Sequence, residues 1–154
     1  LRLEWESYTN KYQFLDTSKG LRVGYMVTIN ALDLAFTPAL EMADLVRRRQ
    51  VSPLELVNIY LERIDRLNPK IGSYFTVMAE QAIADAKVKT ETLVNATNLP
   101  PFFGVPISTK DLNSVAGIPC TYGTKALINN IPEYDDVAIA KIKQAGFIIL
   151  GKTA

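Results

Sequence analysis

Gly104-Val105-Pro106-Ile107-Ser108-Thr109-Lys110-Asp111 is the stretch on which the fold turns. Val105 and Ile107 are apolar and separated by one residue, so both can face a core from a short strand. The strand ends in Lys110 and runs straight into a loop, Gly117 to Thr124, that carries glycine and proline. A lysine at the end of an apolar strand is costly to bury as a cation. It either snorkels to water or sits in a polar pocket with its pKa pushed down. A desolvated lysine of that kind can act as a general base near neutral pH.

Outward from this strand, the pattern alternates between helix and strand. Leu40, Ala43, Leu45 and Val46 make one apolar helical face from Ala39 onward, with Arg47-Arg48-Arg49 at the helix end, where cations suit the dipole. Ser52-Pro53-Leu54-Glu55 is a capping box with proline at the first helical position. Its helix carries Leu54, Val57, Leu61, Ile64 and Leu67 on one stripe and is expected to stop at Asn68-Pro69. Ser73 to Val77 reads as a strand. Ala79 to Leu93 reads as an alanine-rich helix with Ala82, Ile83, Ala86 and Leu93 inward.

Beyond the lysine strand, Ala126 to Asn130 is expected to form a short helical piece. Pro132-Glu133-Tyr134-Asp135-Asp136 reads as a helix start with acids in its first turn. Val137, Ala140, Ile142 and Ala145 line that helix, Gly146 ends it, and Phe147 to Leu150 is a buried strand. Taken alone, the strands 104–109 and 147–150 would leave unpaired edges, a pairing liability. The expected class is α/β, with helices packed on a mixed β-sheet.

Composition narrows the chemistry. The chain has 154 residues, enough for one domain with a real core, and is 48% apolar and 21% charged. Seventeen Lys and Arg against sixteen Asp and Glu leave a net charge of +1, which offers no electrostatic footprint for nucleic acid or an acidic membrane. There is no histidine, so Ser-His-Asp and Cys-His catalysis and the common zinc sites are excluded from this chain. A hydrolase built on it needs lysine or a carboxylate as its base. The single Cys120 excludes an internal disulfide and fits a reducing, cytoplasmic setting; with no histidine to activate it, an inert thiol is expected.

Residue 1 is Leu rather than Met, and residues 1–38 stand apart from the rest. Leu21, Val23, Tyr25, Val27 and Ile29 alternate with Arg22, Gly24, Met26, Thr28 and Asn30 in a strand-like pattern. The apolar run from Leu21 to Phe36 is interrupted by Arg22, Asn30 and Asp33. It is too short to span a bilayer and has no signal-peptide cleavage pattern.

Gly146-Phe147-Ile148-Ile149-Leu150-Gly151-Lys152-Thr153 satisfies the phosphate-binding pattern G-x-x-x-x-G-K-[ST] letter for letter. Its four middle residues must form a loop whose amides wrap phosphates. Phe-Ile-Ile-Leu is instead a buried strand, and nucleotide binding is rejected.

Gly104 to Leu112, followed by Ala116-Gly117-Ile118-Pro119-Cys120-Thr121-Tyr122-Gly123-Thr124, resembles the lysine-bearing segment of the amidase signature family. That segment is a G-[IV]-P-[IV]-x-[VIT]-K-D strand followed by a G-x-x-x-T-x-G-[ST] loop. The resemblance runs from about Leu40 to Ala154. It includes the A-G-[AF]-[IV]-[IL]-x-G-K-T approach to the family's serine loop, although Ala154 stands where asparagine usually follows. Residues 1–38 do not match it, and residues 39–154 read as the N-terminal part of one amidase domain, incomplete at its C-terminal end.

The resemblance implies amide hydrolysis by a Ser-Ser-Lys triad, with Lys110 as the triad lysine, Asp111 and Thr121 supporting the loop, and no metal or organic cofactor. The two serines are expected beyond Ala154, so the chain alone is expected to be inactive. The implied partners are a small-molecule amide substrate and a complementary chain carrying the serine loop, with no direct nucleic-acid or membrane contact. Two other readings stay open: an inactive split or degenerate fragment acting as an interaction piece, and part of the amide-hydrolysing component of a tRNA-dependent amidotransferase.

Overall fold

A computed structural model describes residues 31–154, with the side chains of 31 and 32 left aside. The alternating stretch Leu21 to Ile29 lies outside the described residues. The chain divides into two units. In the first, the described part is a short helix, α1 (Ala31–Ala35), closed by the Thr37 hydroxyl donating to the Asp33 carbonyl at 2.8 Å. The second, Pro38–Ala154, holds everything that follows.

Helix α2 (Ala39–Arg47) buries Met42, Ala43 and Val46, while Leu40 points outward. The apolar stripe is thus rotated from the one expected, because Met42 rather than Leu40 meets the core. The arginines at its end do more than complement a dipole. Arg47 donates to the carbonyls of Pro100 and Pro101, and Arg49, with φ of 58°, donates to the Val94 carbonyl at 3.0 Å. Their guanidinium forks therefore tie the end of α2 to residues 94–101 of the chain.

Helix α3 (Pro53–Ile71) opens on the expected capping box. The Ser52 hydroxyl accepts from Glu55 N–H, and the Glu55 carboxylate accepts from Ser52 N–H at 2.8 Å. Its other end runs past the expected stop. Pro69 lies inside the helix, and the chain leaves at Gly72, whose φ of 60° is the left-handed cap. The proline is tolerated because it falls in the last turn; the carbonyl it leaves without a helical donor belongs to Asp65, an exposed residue. Asn68 then joins helix to sheet. Its amide accepts from Tyr74 N–H at 2.8 Å and donates to the Tyr74 carbonyl at 3.2 Å.

Strand β1 (Tyr74–Val77), helix α4 (Ala79–Asn95), strand β2 (Pro106–Lys110), a 3-10 turn at Lys125–Leu127, helix α5 (Val137–Gln144) and strand β3 (Ile148–Thr153) complete the fold. The three strands form one sheet in the order β1-β3-β2, with β1 antiparallel and β2 parallel to β3. The sheet is mixed, as expected. The last strand, expected to expose an edge, is the central one; the outer strands are β1 and β2.

One face of the sheet carries Ile148 and Leu150 against Val57 and Ile64 of α3 and Ala82 and Ala86 of α4. The other carries Ile149, with Ile107 beside it, against Ile139, Val115, Ile118 and Met78. The start of α5 differs from expectation. Residues 132–136 are not helical, and Asp135 and Asp136 turn back on the preceding loop. The carboxylate of Asp136 accepts from Ser114 N–H at 2.7 Å, and that of Asp135 from Ala116 N–H at 2.9 Å. Loop amides with no strand partner compete for these carboxylates and win over the helix dipole. The helix buries Ile139, while Val137, expected inside, is 75% exposed.

Candidate active site

The site is built at the carboxyl end of β2. Its position follows from a β-bulge: Ile107 pairs with Ile149, but Ser108 pairs with Gly151, so Leu150 is the extra residue. Without the bulge, alternation from Leu150 would send Lys152 to the α3/α4 face. With it, Lys152 lies beside its register partner Thr109 on the α5 face, and Thr153 lies beside Lys110 on the α3/α4 face.

Lys110 ends β2 with an exposed side chain, and its ammonium makes no hydrogen bond or ion pair with any described residue. Of the two fates open to it, the one found in this chain is water. Below it on the same face, the Ser108 and Tyr74 hydroxyls hydrogen-bond to each other, which fastens β1 across β3 to β2.

Asp111, the next residue, is buried. Its backbone N–H donates to the Thr153 carbonyl at 2.8 Å, and its carbonyl accepts from the Cys120 thiol at 3.3 Å. One carboxylate oxygen accepts from Thr121 twice, from N–H at 2.9 Å and from the hydroxyl at 2.5 Å. The other lies 3.1 Å from the Lys152 ammonium. Burial by itself would raise the Asp111 pKa, but the Thr121 hydrogen bonds and the Lys152 cation outweigh it and hold the carboxyl below its usual value. Asp111 and Thr121 are thus brought together, with Lys110 one residue away on the opposite face.

Lys152 is the residue that sequence reasoning misses. Its side chain is 0% exposed, and its ammonium also points at the Pro119 carbonyl, 3.5 Å away. In the sequence it stands out as the lysine of a phosphate-loop pattern and of the G-K-T approach to the serine loop, and neither pattern gives it a role. The available signal is its place at the end of a buried apolar strand, the same signal that singles out Lys110. The structure agrees with rejecting the phosphate-loop pattern, since Ile148 to Thr153 is strand and its lysine faces a carboxylate. Cys120 is fully buried and free, as an inert thiol would be. Among the described residues, no cluster of His, Cys, Asp and Glu could hold a metal ion, and no helix is long and apolar enough to cross a membrane.

Lys110, Asp111 and Thr121 all lie within the stretch that matches a known family. The amidase family model matches residues 55–154, and the chain belongs to that family. It is 52% identical over 124 residues to a "Putative amidase" of Synechocystis sp., covering 79% of this chain and 24% of that protein. It is 38% identical over 113 residues to the A component of the glutamyl-tRNA(Gln) amidotransferase of Sulfurihydrogenibium sp., covering 73% of this chain and 23% of that one. Among solved structures, an amidase superposes with a TM-score of 0.69 at 30% identity, over 76% of this chain and 26% of that one. The peptide amidase of Stenotrophomonas maltophilia, at 24% identity and a TM-score of 0.70 over 77% of this chain and 25% of that one, shares the fold. The chain therefore spans about a quarter of the length of the relatives it matches.

Proposed function

We propose that this chain is the lysine-bearing part of an amidase that hydrolyses carboxylic amide bonds through an acyl-serine intermediate, with Lys110 as its base. The observation that carries the reading is Lys110 at the end of β2, within the matched residues 55–154, followed at once by the clamped Asp111. In the reaction, neutral Lys110 takes the proton of a bridging serine. That serine takes the proton of a second serine, whose oxygen attacks the amide carbonyl carbon. Collapse of the tetrahedral adduct expels the amine, which takes up a proton, and water then cleaves the ester to release the acid. On this reading both serines, and the amides that would hold the oxyanion, are expected outside these 154 residues. A lysine acts as a base only when neutral, which requires desolvation. In the assembled enzyme, the serine-bearing part packs over the exposed Lys110 and supplies it. The substrate is a small-molecule amide, the setting is cytoplasmic, and Asp111 and Thr121 support the loop.

Lys110→Ala in the complete enzyme containing this chain is expected to abolish nearly all amide turnover with the circular dichroism spectrum unchanged; near-normal turnover would overturn the assignment. The 154-residue chain alone is expected to be inactive. Turnover by it, lost on Lys110→Ala, would place the nucleophilic serine inside it.

A second reading is supported by the relatives that are components of glutamyl-tRNA(Gln) amidotransferases. On it, the chain is part of the amide-hydrolysing component of such an amidotransferase, and turnover depends on a second protein to which the ammonia is transferred. Turnover of free amides without any partner argues for the first reading, and strict partner dependence for the second.

A further inference from the structure

We infer that Lys152 is a positioning residue for Lys110, acting through its buried ion pair with Asp111. The inference rests on the reading of Lys110 as the base. Burying an ammonium and a carboxylate is costly, and a well-packed apolar pair of the same volume is often as stable or more so. Stability is therefore a weak reason for this pair to exist, and its geometry suggests a stronger one. The bulge at Leu150 and Gly151 turns Lys152 onto the α5 face, where it meets the carboxylate of Asp111 at 3.1 Å and the Pro119 carbonyl at 3.5 Å. Lys110 is attached directly to Asp111 and points to the other face. Any rotation of the β2 end about its own axis swings the two side chains together.

Without Lys152, the Asp111 carboxylate keeps Thr121 but loses its anchor to the central strand. It is then buried with a charge that no cation faces, and it draws toward water. With the link to β3 gone, whether or not a charge is left behind, the β2 end is free to rotate, and that rotation carries Lys110 away from where it must meet a serine hydroxyl. The same ammonium touches the loop after β2 at two points, its first residue Asp111 and the Pro119 carbonyl within it, so it also holds where that loop sits. Misplacing a reacting group by about 1 Å can cost on the order of 100-fold in rate.

The test compares Lys152→Met, the double variant Asp111→Asn/Lys152→Met and Lys110→Ala in the complete enzyme, assayed well below each variant's melting temperature. The double variant keeps an amide oxygen for Thr121 and leaves no unpaired charge, so it tolerates loss of the pair even where Lys152→Met unfolds. For a folded variant lacking the pair, the expected result is a fall in kcat of about 100-fold with KM little changed. The acid limb of its kcat/KM profile also moves, because the environment of the base has changed. A merely structural role would lower the melting temperature and leave kcat and the acid limb of the folded enzyme as they were; that result in either variant overturns the inference. The two ideas fail separately. Lys110→Ala with near-normal turnover sinks the base assignment itself. Lys110→Ala inactive beside a pair-less variant of normal kcat and acid limb sinks only the role of Lys152.

Discussion

Replacing Gly151 with alanine tests how β1 is held against the sheet. A Cβ built at Gly151 would lie 2.3 Å from the Thr76 carbonyl oxygen, 3.0 Å from Cδ1 of Tyr74 and 3.2 Å from Cα of Val77. All three atoms belong to β1, and two are backbone atoms that cannot swing aside. Carbon and carbonyl oxygen approach no closer than about 3.3 Å, so β1 must retreat by roughly 1 Å. A hydrogen bond such as that from Met78 N–H to the Leu150 carbonyl, 2.8 Å long, then stretches beyond useful range. Two or three such bonds at about 1 kcal/mol each, added to an overpacking cost of about 1–3 kcal/mol, give a loss of roughly 4 kcal/mol. At about 4 °C per kcal/mol, this is a drop in Tm of about 16 °C. The control is Gly72→Ala. That glycine has φ of 60° and no atom within 4 Å of its Cβ position. Left-handed strain alone then applies, at about 1–2 kcal/mol. Thermal melts followed by far-UV circular dichroism distinguish the two. Equal losses from both variants would refute the claim that β1 lies within contact of Gly151.

Ser52→Ala should cost about 1 kcal/mol in urea unfolding, because it leaves Glu55 N–H without its acceptor; a change below a few tenths would mean the box is not formed in solution. Stability should also fall in acid. Burial alone would raise the pKa of Asp135, but Lys143 and Ala116 N–H hold it low, as Thr121 and Lys152 hold Asp111. For a carboxyl depressed in the folded state, the contribution is present above the unfolded pKa, near 4. It is lost as pH falls through the folded value. Tm is therefore expected to stay level from about pH 5 upward and to fall below about pH 4, with a shallower fall in Asp135→Asn. An acid slope unchanged in that variant would remove Asp135 from the account.

Much of this protein is legible in one dimension because short-range chemistry determines it. The capping box at Ser52 and Glu55 needs residues three apart, and the glycine that ends α5 needs one position; neither depends on what packs nearby. The apolar stripes of α3 and α4 and the lysine-ended strand of the amidase family are likewise local patterns. Where elements end, or which side of a helix turns inward, the outcome depends on partners distant in sequence. Pro69 stays helical because its turn is solvent-facing. Asp135 and Asp136 leave the helix start because the amides of Ala116 and Ser114, about twenty residues away, need acceptors. Which face Lys152 occupies cannot be read from alternation at all. A single bulged residue reverses every side chain beyond it, and bulges arise from the pairing of strands rather than from either strand alone. The sequence by itself therefore determined most of the elements, the family and the place of Lys110 at a strand end. Only the tertiary structure decided that a second lysine, 42 residues further on, would be buried against the neighbour of the first, because the desolvation of a charge and the partner that compensates it exist only once the chain has packed.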